Sequence, residues 1–165
     1  MLIQNTEPKT YIILGMHRSG TSLISKALSD QGADMGDMVM SVYEDKDFLS
    51  LNTSMLTEAG GSWNNIPTDF NLTIIGRERA GEIKKLVDKK KSKMWGWKDP
   101  RTCFTLPAYL PHLDGDVYLF CCFRKPDKVA HSIHQRDKTG FDKARRLVDE
   151  YNKKLISHIK NFVGL

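Results

Sequence analysis

The chain has 165 residues, 40% of them hydrophobic and 27% charged, with a formal net charge of +5. That is enough for one domain with one sizeable core, and the balance is ordinary for a soluble globular protein. No apolar run approaches the roughly 20 residues of a membrane span, and the opening residues lack a signal peptide's charged and apolar regions, so neither a membrane partner nor export is expected and the default location is cytoplasmic.

Residues 1–9 read as an N-terminal tail and residues 10–165 as a single domain. Tyr11-Ile12-Ile13-Leu14 is a short apolar run ending in glycine, which reads as a buried strand. Leu23, Ile24, Ala27 and Leu28 form a helical stripe over residues 21–31, closed near Gly32. Residues 44–59 carry Phe48, Leu51, Met55 and Leu56 at helical spacing and stop at Gly60-Gly61; residues 67–75 read as a loop. Residues 77–91 read as a polar helix with Ile83, Leu86 and Val87 inward. Lys84, Lys85, Lys89, Lys90 and Lys91 supply much of the positive excess, and are read as a solvated face rather than a nucleic-acid patch.

Met94-Trp95-Gly96-Trp97 predicts a short strand ended by Pro100, with both tryptophans in the core. Residues 117–123 are the longest apolar run, fitting a central strand buried on both faces, with Cys121 and Cys122 as buried thiols. With Cys103 they make an odd count whose spacing fits no zinc pattern, so no metal or disulfide role is expected. Pro126 suits the first turn of a helix running to about Arg136, and residues 141–162 form a final amphipathic helix.

Strands alternating with helices predict an α/β domain of three layers with a parallel sheet and right-handed crossovers. Ligands bind such sheets beyond the carboxyl ends of the strands. The strand ends here lead into residues 15–22, 98–101 and 124–132, all polar or basic, so three pieces of sequence can converge on one anion site.

Gly15-x-x-x-x-Gly20-Thr21-Ser22 has the outline of a phosphate-binding loop. Glycine lets the backbone approach an anion, and the following helix offers free N–H groups and a positive dipole end. Nucleotide hydrolases have lysine directly after the second glycine; here Thr21 stands there and the cation comes earlier, as Arg18. A guanidinium grips phosphate or sulfate through paired hydrogen bonds. The competing reading is an ordinary strand-to-helix turn.

Gly15-Met16-His17-Arg18-Ser19-Gly20-Thr21-Ser22 resembles the 5′-phosphosulfate loop of the sulfotransferases that use 3′-phosphoadenosine 5′-phosphosulfate (PAPS), in the Arg-Ser-Gly-Thr form of bacterial and protein-tyrosine sulfotransferases. The resemblance implies a fold like that of P-loop-containing nucleoside triphosphate hydrolases, and contacts from Arg18, Ser19, Gly20, Thr21 and Ser22 to the 5′-phosphosulfate. Arg124-Lys125-Pro126, with Ser132 following, resembles the family's 3′-phosphate motif. Trp97-Lys98-Asp99-Pro100 resembles a segment whose lysine lies near the transferring sulfuryl group. Lys98 would neutralise charge on the leaving oxygen, with Asp99 orienting Lys98 or Arg101; the alternative is a structural ion pair.

Residues 40–48 resemble the bacterial Phe-Glu-Asp segment, with Tyr43 at the aromatic position. This makes Glu44 the first candidate base and His17 the second. The alternative for Glu44 is that it merely favours a helix N-terminus. The resemblance runs from about Tyr11 to Arg136. Many family members carry a C-terminal glycine-rich loop over the 3′-phosphate, and the sequence contains none.

The implied activity is metal-free transfer of a sulfuryl group from PAPS to a hydroxyl or amine of a small-molecule, carbohydrate or peptide acceptor. Two alternatives stand beside it. One is a P-loop phosphotransferase or nucleotide hydrolase, disfavoured by Thr21; the other is a non-catalytic nucleotide- or polyanion-binding module. Residues 32–40 and 60–75 are the expected walls of an acceptor pocket.

Overall fold

A computed structural model of the chain describes residues 7–39 and 42–163. The first six tail residues, and Met40 and Ser41 of the segment before Glu44, lie outside the described residues. Three parallel strands, β1 (Lys9–Leu14), β4 (Met94–Lys98) and β5 (Asp116–Cys121), form an open sheet in the order β4-β1-β5. Two shorter strands, β2 (Met38–Val39) and β3 (Glu44–Asp45), pair antiparallel as a separate ribbon. The expected parallel α/β arrangement is present, as a small sheet flanked by helices.

β1 is the central strand. Ile12, Ile13 and Leu14 are fully buried, because neighbours pair on both edges and helices cover both faces. Ile12 and Leu14 face the main core, whereas Ile13 faces a smaller cluster with Ala33 and Met35 beneath α1 (Thr21–Asp30). In the main core, Trp95 and Trp97 are buried as expected, and the Phe48 ring stacks on Trp97 at 4.2 Å.

The longest apolar run is not the central strand. β5 pairs with β1 along one side only among the described residues, and Tyr118 is 43% exposed. Val117, Leu119 and Cys121 pack on the main core and Phe120 and Cys122 on the smaller cluster, so both faces are covered but the edge is open. Cys121 and Cys122 are accordingly half-buried, and only Cys103 is fully buried. An apolar run marks contact on two faces and says nothing about edge pairing.

Residues 67–75 are not a loop throughout. Thr68 caps a helix, α3 (Asp69–Glu78), its hydroxyl accepting from the Asn71 N–H. The helix expected over 77–91 is thereby split: α3 ends at Glu78, and α4 (Ala80–Lys90) begins after Arg79. No helix among the described residues is long and apolar enough to cross a membrane.

The second expected helix starts later than its periodicity suggests. α2 (Lys46–Glu58) begins after Asp45, whose buried carboxylate accepts from the N–H groups of Asp47 and Phe48 at 2.9 and 3.0 Å. Its other oxygen accepts from the Asp37 N–H at 2.8 Å and from Lys90 Nζ at 2.7 Å. Gly36 sits against this group with φ 75, and a Cβ there would lie 2.0 Å from the carboxylate. Lys89 and Lys90 are therefore not a purely solvated face; both reach across to the start of α2.

Asp45 thus joins a helix cap to an ion pair in one buried group. Asp45→Ala removes both and leaves Lys90 without its closest partner. The expected loss is about 3 kcal/mol, read as a lower denaturant midpoint. A midpoint within error of wild type would show that neither contact matters to stability.

Candidate functional site

The register of the sheet sets the site. Ile13 lies opposite both Lys98 and Phe120, so the chain leaves all three strands at the same edge. Three helices start just beyond: α1, α5 (Thr102–Tyr109) and α6 (Pro126–Asp137).

After β1 the chain turns with the Ser19 N–H bonded to the Met16 carbonyl at 3.1 Å, and the buried Met16 side chain anchors the loop. Arg18 and Gly20 both have positive φ, 70 and 99 respectively, a conformation that glycine adopts freely and arginine does not. Gly20 is the N-cap of α1 and supplies no side-chain acceptor, so first-turn N–H groups keep their capacity for a ligand. Ser19 Oγ is closed off from solvent and has no hydrogen-bond partner. Thr21 is buried, and Ser22 Oγ donates to the Val42 carbonyl at 3.0 Å.

The third strand's extension meets this loop. Arg18 Nε donates to Ser132 Oγ at 2.8 Å, and Arg124 Nη1 donates to the Arg18 carbonyl at 3.0 Å. Arg18 and, more than a hundred residues further along the chain, Arg124 and Ser132 form one basic cluster.

Lys98, at the end of β4, is 3% exposed and donates to the Val42 carbonyl at 2.6 Å and to Glu44 Oε1 at 2.9 Å. Arg101 Nη1 lies 2.8 Å from Asp99 Oδ1 and 3.5 Å from Glu44 Oε2. Asp99 therefore orients Arg101, while Glu44 holds Lys98. Glu44 belongs to β3 and does not cap α2; Asp45 does. Burial pushes the Glu44 carboxyl above its usual range and nearby Asp99 adds to the shift, against the pull of Lys98 and Arg101. Tyr43 beside it has φ 54, unusual for a residue with a bulky side chain.

Beneath the pair lies a polar network on Asn52 of α2. Its amide donates to Asp99 Oδ2 at 2.8 Å and Thr102 Oγ1 at 3.1 Å, and its carbonyl accepts from Thr105 at 2.7 Å and Tyr109 at 2.9 Å. Trp97 Nε1 also donates to Thr102 Oγ1 at 3.0 Å. Every member is buried and bonded, which fixes the backbone carrying Lys98 and Arg101.

His17 points away from the basic cluster toward Trp63. The two rings meet edge to face at 4.9 Å, and the Arg136 guanidinium sits 5.4 Å from the Trp63 ring. Trp63 is held from behind by Tyr151, whose hydroxyl donates to the Trp63 carbonyl at 2.9 Å. His17 Nε2 is shut off from water and has no partner.

The structure places Arg18, Arg124 and Ser132 in one group and Lys98 and Glu44 in a buried pair, joined to the loop through the Val42 carbonyl that Ser22 shares, while His17 turns to Trp63. Trp63, Arg136 and Asn52 escaped the sequence reading. Ser132 and Arg136 lie four apart on one helix, so the first pointed to the second. Asn52 interrupts the apolar face that carries Phe48 and Met55, the pattern of a buried polar anchor. Trp63 follows Gly60-Gly61 in a loop, where no periodicity marks it. A separate cavity of about 510 Å³ lies between α3 and α5, with Arg77, His112 and Lys154 among its lining residues; of the groups above it shares only Thr105. The sheet edge is where the loop after β1, Lys98 and Arg124 come together.

Comparison with protein-family models, with curated proteins and with solved structures returns no match for this chain.

Burial first, and then the charges of Arg101, Arg136 and Lys98, hold the His17 imidazole well below its ordinary value. In the unfolded chain the ring takes a proton near pH 6.5, whereas in the fold it stays neutral. Below that pH the unfolded state binds more protons, so stability is complete above about 6.5 and is lost as the pH falls toward the folded-state value. One such group contributes at most about 1.4 kcal/mol per pH unit. His17→Gln is expected to flatten the loss between about pH 6.5 and 5.5 in denaturant unfolding. An unchanged slope would exclude His17 as its source.

Proposed function

We propose that the chain is a sulfotransferase on a P-loop-type fold, moving a sulfuryl group from PAPS to an acceptor hydroxyl or amine. The observation that carries this reading is the bond between Arg18 and Ser132. Two motifs far apart in sequence, each resembling one half of a donor-binding site, meet at the same sheet edge. The donor carries anionic groups at both ends, and the chain offers it two sets of donors. Ser19 Oγ, Ser22 and the first turn of α1 suit the 5′-phosphosulfate. Arg124 and Ser132 suit the 3′-phosphate, with Arg18 between them. The orphaned Ser19 hydroxyl supports the fit, because a buried donor without a partner is uncommon unless a ligand supplies one.

In the reaction an acceptor oxygen or nitrogen bonds to sulfur while the sulfur–oxygen bond to the nucleotide phosphate breaks. The electron pair goes to the bridging oxygen, where Lys98 neutralises the charge. The acceptor's proton goes to Glu44, whose upward-shifted carboxyl is the stronger base for it. The Lys98–Glu44 pair holds both groups in register before the substrates arrive. His17, neutral at physiological pH, is the second candidate for the proton. Arg18, Lys98 and the backbone N–H groups supply the positive charge that metal ions give in kinases.

The binding half of this reading has a direct test. The product nucleotide, 3′-phosphoadenosine 5′-phosphate, is expected to stabilise the fold without added metal, by about 2.7 kcal/mol at a hundred times its Kd. Arg124→Ala is expected to weaken it by roughly 1.5–3 kcal/mol and to erase discrimination against ligands without the 3′-phosphate. Equal stabilisation by adenosine in the wild type would refute the two-anion site.

For the chemical step, Glu44→Gln keeps the side chain's size but cannot take a proton at neutral pH. Transfer of labelled sulfuryl to an alcohol is expected to fall about 10²–10⁴-fold, with nucleotide affinity nearly unchanged. An acidic phenol, which loses its proton easily, should recover part of that loss. Wild-type transfer to the alcohol would shift the role of base to His17.

A further inference from the structure

Once the donor nucleotide is assigned to Arg18, Arg124, Ser132 and Lys98, part of the polar equipment at the sheet edge has no role. Arg101 is engaged by Asp99 and Glu44. His17 and Arg136 remain, both against the Trp63 ring.

Three features of this trio point to a ligand. His17 Nε2 is a polar atom closed off from water with nothing to bond, in a residue that is itself half-buried. A buried polar atom without a partner is uncommon and has bonding capacity left for a ligand. Arg136 bonds its neighbour Asp137 through Nε and Nη2 at 2.8 Å each, leaving Nη1 without a partner among the described residues. Trp63 is not packed there by default. A loop after two glycines delivers it, and Tyr151 of the last helix, α7 (Phe141–Val163), fixes its backbone.

The bonding capacity left in the trio decides what it would hold. The charged groups acting on His17 are Arg101, Arg136 and Lys98, each itself paired with a carboxylate, in Asp99, Asp137 and Glu44 respectively. A neutral imidazole can donate through one nitrogen, and a guanidinium offers a further pair of donors. Unbonded His17 Nε2 and Arg136 Nη1, beside an aromatic wall, fit an anionic oxygen on an organic body.

We infer that the acceptor is itself an anion, a hydroxyl or amine compound carrying a carboxylate or sulfate group that Arg136 and His17 hold beside Trp63, an assignment that rests on the sulfotransferase reading. Arg136 and His17 are specificity residues in this scheme. They grip the acceptor's acid group while Glu44 takes the proton from its reacting atom. No bond forms or breaks at the subsite.

The test uses the full chain labelled with ¹⁵N-histidine and saturated with 3′-phosphoadenosine 5′-phosphate, whose binding is confirmed first by thermal shift. Sulfate, acetate and glycerol are then titrated separately while the His17 imidazole resonance is followed, assigned through His17→Gln. Sulfate, acetate or both are expected to move it saturably, and glycerol is not. The stronger of the two anions names the acid group. Arg136→Gln, a change at a partly exposed side chain, is expected to weaken the effect about tenfold or more. No saturable shift with either anion overturns the inference. So does an equal response in Arg136→Gln, which would place the anion at Lys98, where the transferring group belongs. Failure of the nucleotide to bind is a different result: it removes the proposed function, and this acceptor assignment falls with it.

Discussion

The pairing register of three parallel strands is the constraint from which the site follows. Ile13 opposite both Lys98 and Phe120 forces three loops to leave the sheet at one edge. A shift of one residue in either pair would turn the side chains of a strand to the opposite face. Trp95 and Trp97 would then leave the core, and Lys98 would no longer face Glu44. The register is held by burial rather than by the loops, because Ile12, Leu14, Trp95 and Trp97 pack on one side and Ile13 on the other. The hydrophobic core and the arrangement of charges are therefore not independent features.

Holding a buried ammonium beside a buried carboxylate is costly unless the geometry satisfies both. Lys98 has two acceptors, the Val42 carbonyl and Glu44, and Glu44 has a second cation nearby in Arg101. Asp99 is satisfied in turn by Arg101 and Asn52. The chain of contacts from Tyr109 through Asn52, Asp99 and Arg101 to Glu44 is a continuous scaffold under the site, each link buried or nearly so. Removing Asn52 would leave several buried donors and acceptors unmatched at once, so its influence extends well beyond its own bonds.

Most of the fold was legible because periodicity and glycine punctuation agree over the first strand, its loop and helix, and over the final two helices. The loop residues from Arg18 to Ser22 and the pair Arg124 and Ser132 were visible as motifs, since the loop and Arg124 follow strand ends and Ser132 lies about two turns into the next helix. The failures have local causes. An apolar run such as residues 117–123 reports burial of faces, and β5 shows that an edge strand can be apolar on both. The helix starting at Asp69 hid behind Pro67 and a run of β-branched residues, and only the capping role of Thr68 distinguishes it from a loop. Trp63 could not be placed at all, because its position depends on a contact with Tyr151, 88 residues away.

The carbonyl of Val42 accepts from both Ser22 and Lys98. These are two of the groups best placed to meet an incoming anion, and neither is idle. Ser22 has a single O–H, so an anion that recruits it must take it from that carbonyl, an exchange of partners rather than a simple addition, whereas the Lys98 ammonium has a third N–H to offer. The net affinity for any such ligand is the difference between two sets of bonds and will understate the strength of the new contacts. Val42 also sits next to Tyr43, whose backbone is held in an uncommon conformation. Freeing that carbonyl loosens the one restraint that both donors share. Occupancy of the loop after β1 is thereby linked to the placement of Glu44 two residues further on, without any contact between the ligand and Glu44 itself.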